Sequence, residues 1–157
     1  MIYYVKVNSI FDRSDVHFLN QKDEKLATVN FNKVADEYQL EAYNMITDKK
    51  YFVKSSPFKL KSRFVIFNEE KKQIVKVTMG YKILHNIIQS EDYYFVKSSF
   101  WKIRYSCYKN RKVTHHLSVI KTEKGRFFKI DSLNEDFSIT LALFLLAHAV
   151  RSRSILN

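Results

Sequence analysis

The chain has 157 residues, 46% of them hydrophobic and 15% aromatic, with 27 Lys and Arg against 16 Asp and Glu, for a formal charge of +11. That length suits one domain with a real core, 1–157, and that apolar content excludes a disordered polymer. The basic balance points to an anionic partner, whether a lipid surface, a nucleic acid or an acidic protein; a soluble surface merely rich in lysine is the plain alternative.

The first residues, MIYYVKVN, lack the charged start, apolar run and small-residue cleavage site of a secretory signal, which suggests a cytoplasmic protein. Gly80, Gly125 and Pro57 are the only glycines and proline, so turns must rely on Asn, Asp, Lys and Ser. Cys107 is the only cysteine. It can form no intramolecular disulfide and no cysteine zinc site, and reads as a small core hydrophobe.

The strongest internal signal is a repeat: YFVKSS stands at Tyr51–Ser56 and again at Tyr94–Ser99, 43 positions later. In chain order, a fainter first copy runs over Tyr3–Val29, with an aromatic pair, an alternating stretch through Val16 and Phe18, a polar turn and a stretch ending in Val29. The second copy is Tyr51–Val77 and the third Tyr94–Val119, with one residue deleted near the turn. In that alignment Phe58, Leu60, Phe64 and Ile66 meet Trp101, Ile103, Cys107 and Tyr108 or its neighbour, while Lys59 and Lys61 meet Lys102 and Arg104. Alternation of this kind is what a half-buried strand requires.

Each copy is followed by one more extended stretch: Tyr38–Asn44, Ile83–Ile88 and Arg126–Asp131. Three units of four strands predict about twelve strands over residues 2–131. The spacing also fits a propeller or solenoid, but three blades are too few for an ordinary propeller, and a closed antiparallel barrel accounts for the pattern better.

The period then changes. Residues 136–151 predict a helix, with Asp136 or Asn134 as its N-cap and Arg151 and Arg153 suited to the negative end of its dipole. Phe137, Ile139, Leu141, Leu143, Phe144, Leu145, Leu146 and Val150 point in nearly every direction around its axis, so it must be buried on every side. Its uninterrupted apolar part spans roughly 20 Å, short of the ~30 Å of a hydrocarbon core. A helix is about 10–12 Å across, which a barrel of this size can enclose. The expected architecture is therefore mainly β, a closed barrel around a central hydrophobic C-terminal helix. Ala142, Ala147 and Ala149 would mark the closest approaches of the wall.

This succession of strand pairs, ending in FSITLALFLLAHAVRSR, resembles the tubby-like C-terminal domain, and more narrowly the LURP-one-related and phospholipid-scramblase branch. The branch repeats short FxIxNxxxxxxxxV hairpins, carried here by Phe64-Val-Ile-Phe67-Asn68 through Val77 and more loosely by Val16-His-Phe18-Leu-Asn20 through Val29. The resemblance implies a twelve-stranded barrel around a central helix. Animal tubby domains bind phosphoinositide headgroups through lysines and arginines, scramblases act at membranes, and plant LURP-one proteins are linked to defence. None of those families' binding motifs matches this chain residue by residue, so no family site is carried over.

From the residues themselves, the candidate anion- or lipid-headgroup-binding side chains are Lys54, Lys59, Lys61, Arg63, Lys97, Lys102 and Arg104. Lys49–Arg63 and Lys97–Lys112 each hold six basic residues and no acid. Outward rows of such side chains can bind phosphate through charge-assisted hydrogen bonds. Against this, outward strand positions are polar in any barrel, and lysine also protects strand edges. Trp101, Ile103 and Tyr105 fall on the opposite face from Lys102 and Arg104, which predicts core packing rather than base stacking for them.

His115 and His116 are adjacent and point to opposite sides of a strand, and His148 lies in the apolar helix, so no metal is expected. No nucleophile with a base, paired carboxylates or glycine-rich phosphate loop stands out, and the acids cluster in expected turns at Asp23-Glu24, Glu69-Glu70 and Glu91-Asp92. No cofactor and no catalytic residue is predicted. The leading expectation is a non-enzymatic barrel that binds an anionic surface, foremost the cytoplasmic face of a membrane. The alternatives are a basic nucleic-acid-binding barrel and a scaffold for another protein; a buried ligand would compete with the helix for the same space.

Overall fold

The computed structural model describes residues 1–6, 15–30, 40–55, 63–80, 84–101, 103–133 and 136–156. Twelve strands are followed by one helix: β1 Ile2–Lys6, β2 Val16–Leu19, β3 Lys25–Asn30, β4 Leu40–Asn44, β5 Lys49–Ser55, β6 Arg63–Phe67, β7 Gln73–Met79, β8 Leu84–Gln89, β9 Asp92–Ser98, β10 Arg104–Lys109, β11 Lys112–Thr122, β12 Gly125–Ser132 and α1 Phe137–Leu156. Each strand pairs antiparallel with its sequence neighbour, and β1 pairs with both β2 and β12, so the sheet closes on itself as an up-and-down barrel. Closure removes the exposed edges that a sheet this long would otherwise present.

The wall follows the expected alternation, and its register reveals three equivalent units. Val5 faces Phe18, which faces Ala27, which faces Asn44. One unit later Val53 faces Ile66, which faces Val75. In the third unit Val96 faces Cys107, then His115, then Ser132. All these side chains are buried. A strand's side-chain period of two makes such rows possible only when every strand keeps its register, because a slip of one residue would turn the row to solvent. Cys107 is therefore a core residue, as expected.

The residue match between the second and third copies differs from the expected one. Ser55 pairs with Phe64, and Ser98 with Tyr105, so Phe64 corresponds to Tyr105 and Ile66 to Cys107. The length difference lies mainly in the connection between the first two strands of each copy rather than at the following turn. Phe58 and Leu60 lie outside the described residues. Trp101 and Ile103 do not enter the core at all.

The FxIxN hairpins owe their asparagines to turn chemistry. Asn20 Oδ1 accepts hydrogen bonds from the backbone N–H of Lys22 (2.8 Å) and Glu24 (3.0 Å). Asn68 Oδ1 does the same for Glu70 (3.1 Å) and Lys72 (3.0 Å). Both loops place their fourth residue, Asp23 or Lys71, at φ 61°. The third copy turns instead through Asn110 and Arg111 at φ 52° and 66°, the two-residue left-handed form suited to a twisted hairpin. Left-handed positions thus fall to Asp, Lys, Ser, Asn and Arg, as a glycine-poor chain requires. Gly80 is irreplaceable for another reason: a Cβ there would stand 2.1 Å from the Leu84 carbonyl oxygen.

The helix runs through the barrel. Residues 137–147 are all buried. Phe137 meets the rings of Tyr3, Phe18 and Tyr51, and Phe144 meets those of Phe18 and Phe128, so one helix touches walls on several sides. Asp136 is the N-cap, its Oδ1 accepting from the Ser138 N–H at 3.0 Å. Asn134 and the side chains of Arg151 and Arg153 lie outside the described residues. Ala142 and Ala147 are fully buried, and Ala149 is half-buried.

Candidate functional site

The antiparallel wall gives the barrel two unlike ends. Around the helix N-terminus lie the turns after β2, β4, β6, β8 and β10; the first residues of those strands lie at the opposite end, toward the helix C-terminus. Within β5–β10 the carboxylates Glu69, Glu70, Glu91 and Asp92 all belong to the first end. Asp92 accepts a hydrogen bond there from Lys109 at 2.9 Å. No outward-facing strand position of β5–β10 among the described residues is acidic.

Basic side chains stand at both ends of this wall: Lys49, Lys50, Lys71, Lys72, Lys109, Arg111 and Lys112 lie among the carboxylates of the first end, and a second set lies on the other half. Lys54 of β5 lies opposite Val65 of β6, and Arg63 stands two residues before Val65 on the same outer face. Lys97 of β9 lies opposite Ser106 of β10, and Arg104 stands two residues before Ser106. The two copies of the repeat thus present the same diagonal pair, and all four side chains are exposed. β7 and β8 separate the pairs, roughly 14 Å around the wall. Lys76 faces outward between them, opposite Val65 on one side and Ile88 on the other. Lys59, Lys61 and Lys102 lie outside the described residues.

Beyond Lys97 the chain makes a tight turn to Arg104, held by its first residue. The Ser99 N–H donates to the Arg104 carbonyl at 2.8 Å, while Ser99 Oγ accepts from the N–H of Ile103 (3.2 Å) and Arg104 (3.1 Å). The Ile103 carbonyl in turn accepts from the Val119 N–H at 2.8 Å, tying the turn to β11. At its tip Phe100 and Trp101 are 78% and 77% exposed, their rings edge to face at 5.1 Å. Ile103 and Leu84 are also exposed. The expectation that Trp101 and Ile103 pack in the core is corrected here. Trp101 and Ile103 stand in period-two phase with the buried Tyr105, but they precede β10 and belong to a turn, where period two no longer applies. The signal that could have revealed the tip was present: two large aromatics follow immediately after a Ser-Ser dipeptide that favours turning.

The thiol and one imidazole of the third unit belong to the core. Burial pushes the Cys107 thiol up to about 11, far from a nucleophile's range near neutrality. His115 is fully buried and burial lowers its pKa to about 4, while His116 is exposed on the other face of β11. Among the described residues no three His, Cys, Asp or Glu side chains converge as metal ligands would. A cleft of about 400 Å³ lies between the β2–β3 turn and the β11–β12 hairpin. Lys124 bridges that cleft to Asp23 at 2.8 Å, and Glu123 also lines it, so it offers no net positive charge to an anion. No helix among the described residues is long and apolar enough to cross a membrane.

No family model matches this chain, and no curated protein does. Among solved structures, an X-ray structure of a protein from Arabidopsis thaliana is similar in fold, with a TM-score of 0.64. The match covers 96% of this chain and 91% of that one at 10% sequence identity.

Proposed function

We propose that the chain is a non-enzymatic, tubby-like domain of the LURP-one-related and phospholipid-scramblase kind that docks peripherally on anionic phospholipid, at the cytoplasmic face of a membrane. The observation that carries this reading is the duplicated basic pair, Lys54 with Arg63 and Lys97 with Arg104, on the β5–β10 wall, whose outward-facing strand positions carry no acid among the described residues. Phosphate groups of anionic headgroups or phosphoinositides are met by such rows through charge-assisted hydrogen bonds. The barrel filled by its own helix supports a surface function over a binding cavity, and the buried thiol and histidine support a role without catalysis.

Sedimentation with phosphatidylcholine vesicles containing increasing phosphatidylserine tests the reading. Binding is expected to rise with the anionic fraction and fall with salt. At about 1 kcal/mol per basic residue near the surface, K97A/R104A is expected to weaken it roughly thirtyfold. No sedimentation with anionic vesicles at low salt overturns the proposal, and a mobility shift of an oligonucleotide under the same conditions would assign the wall to nucleic acid instead.

A further inference from the structure

A compact protein rarely leaves two of its largest apolar side chains adjacent and fully exposed. Phe100 and Trp101 are the most exposed of the large hydrophobic residues described. Their exposure is built in: three hydrogen bonds centred on Ser99, and a fourth from Val119, close the turn beneath them. Each ring carries roughly 150–250 Å² of surface, so the tip holds a large unrealised hydrophobic contribution. Its neighbours are two kinds of residue. Ile103 and Leu84 are exposed aliphatics, and Lys97 and Arg104 are exposed cations at the base of the turn.

That order, aromatics at the apex and cations behind, matches the layering of a bilayer interface. Trp rings settle at the headgroup level, with apolar atoms reaching the acyl boundary, while Lys and Arg extend toward phosphates. It suits stacked bases less well. The Phe100 and Trp101 planes meet at 87°, so neither presents a flat platform continuous with the other, and the aliphatic neighbours have no stacking role.

We infer that the 99–104 turn is a membrane-insertion element, in which Phe100 and Trp101 enter the headgroup–acyl boundary of an anionic bilayer while Lys97 and Arg104 hold the phosphates behind them. This rests on the surface-binding reading above and deepens it by fixing the orientation. The end of the barrel where the helix finishes faces the membrane, and the turns around the helix N-terminus, which hold the carboxylates Glu69, Glu70, Glu91 and Asp92, face away.

Trp101 is the only tryptophan in the chain, so the native protein reports on its own tip. With phosphatidylcholine–phosphatidylserine vesicles, Trp101 emission is expected to shift to the blue and to be quenched by lipid brominated on its acyl chains. F100S/W101S is expected to lower vesicle affinity by on the order of tenfold to a hundredfold, leaving residual binding that salt abolishes. Vesicles that sediment the protein while Trp101 emission stays unmoved and unquenched overturn the insertion and leave the surface-binding reading standing. Failure to sediment at all overturns both. A fluorescence change on adding an oligonucleotide, with none on adding vesicles, reassigns the tip to nucleic acid and also overturns it. The fluorescence arm needs no substitution, so a variant that fails to fold cannot rescue the inference.

Discussion

Gln89 and Asp136 stand 47 residues apart in the chain and 2.6 Å apart in space, the Gln89 amide Nε2 donating to Asp136 Oδ2. The same amide donates to Ser138 Oγ at 3.0 Å, while Asp136 Oδ1 caps the helix. One wall residue thus fastens the N-terminus of the helix to the barrel. Asp136→Ala removes both the cap and a hydrogen bond to a charged group, and is expected to cost about 2 kcal/mol in urea unfolding. Gln89→Ala should cost less, and the double substitution should fall short of the sum by about 1 kcal/mol. Strict additivity would show that the contact adds nothing.

His115 makes stability depend on pH. It occupies the place held by Ala27 and Val75 in the other two units, with Nδ1 2.9 Å from Thr114 Oγ1 and Nε2 buried without a hydrogen-bond partner. Thr114 Oγ1 donates to the Cys107 carbonyl at 3.3 Å, which leaves His115 Nδ1–H as the donor between them. Burial lowers its pKa from 6.5 to about 4, against the attraction of Asp136 and Asp131 and with some help from the charged N-terminus. The folded state therefore binds the proton less well than the unfolded state. Stability from this site is complete above pH 6.5 and is lost as pH falls from there toward 4, by an amount on the order of 3 kcal/mol. His115→Val is expected to flatten the pH profile of the urea midpoint over that window. An unchanged profile would mean that other groups set it.

The Phe144 ring meets the wall on both sides of β1, Phe18 of β2 at 5.1 Å and Phe128 of β12 at 5.7 Å between centroids. Phe144→Ala would leave a cavity that strands fixed in a closed barrel cannot collapse into. A loss of about 3–5 kcal/mol is expected from thermal or urea unfolding. Phe100→Ala, at the exposed tip, should change stability by less than about 0.5 kcal/mol. Similar losses at the two positions would contradict the placement of one ring inside and the other outside.

The FxIxN turns predict a selective effect. Asn68→Ala strips two backbone N–H groups of their acceptor and is expected to cost about 1–2 kcal/mol, whereas Asn68→Asp keeps the acceptor and should be nearly neutral. Equal losses for the two would remove the turn explanation.

Much of the barrel was legible because the information was local and periodic. The YFVKSS duplication located equivalent strands, period-two runs placed Val16, Phe18, Phe64, Ile66 and Cys107 inside, and the fourth stretches 83–88 and 126–131 differ from β8 and β12 by only one or two residues at their ends. The helix was expected over 136–151 and extends to Leu156. The site was less legible. Trp101 and Ile103 alternate correctly with Tyr105, and alternation alone cannot say where a strand stops and a turn begins. That boundary depends on Ser99 Oγ reaching the N–H groups of Ile103 and Arg104, a contact that exists only once the chain has turned.

Periodicity, repetition and an all-round apolar terminal segment sufficed, before any folding was seen, to specify a closed wall and something greasy to fill it. Each of those properties is a pattern of neighbours along one chain, and burial selects for it directly. Which basic side chains stand together, and which aromatics are left outside, was settled only by strand order and register. Lys54 and Arg63, like Lys97 and Arg104, become diagonal neighbours because antiparallel pairing folds one strand back upon the other, and no spacing in the chain encodes that meeting.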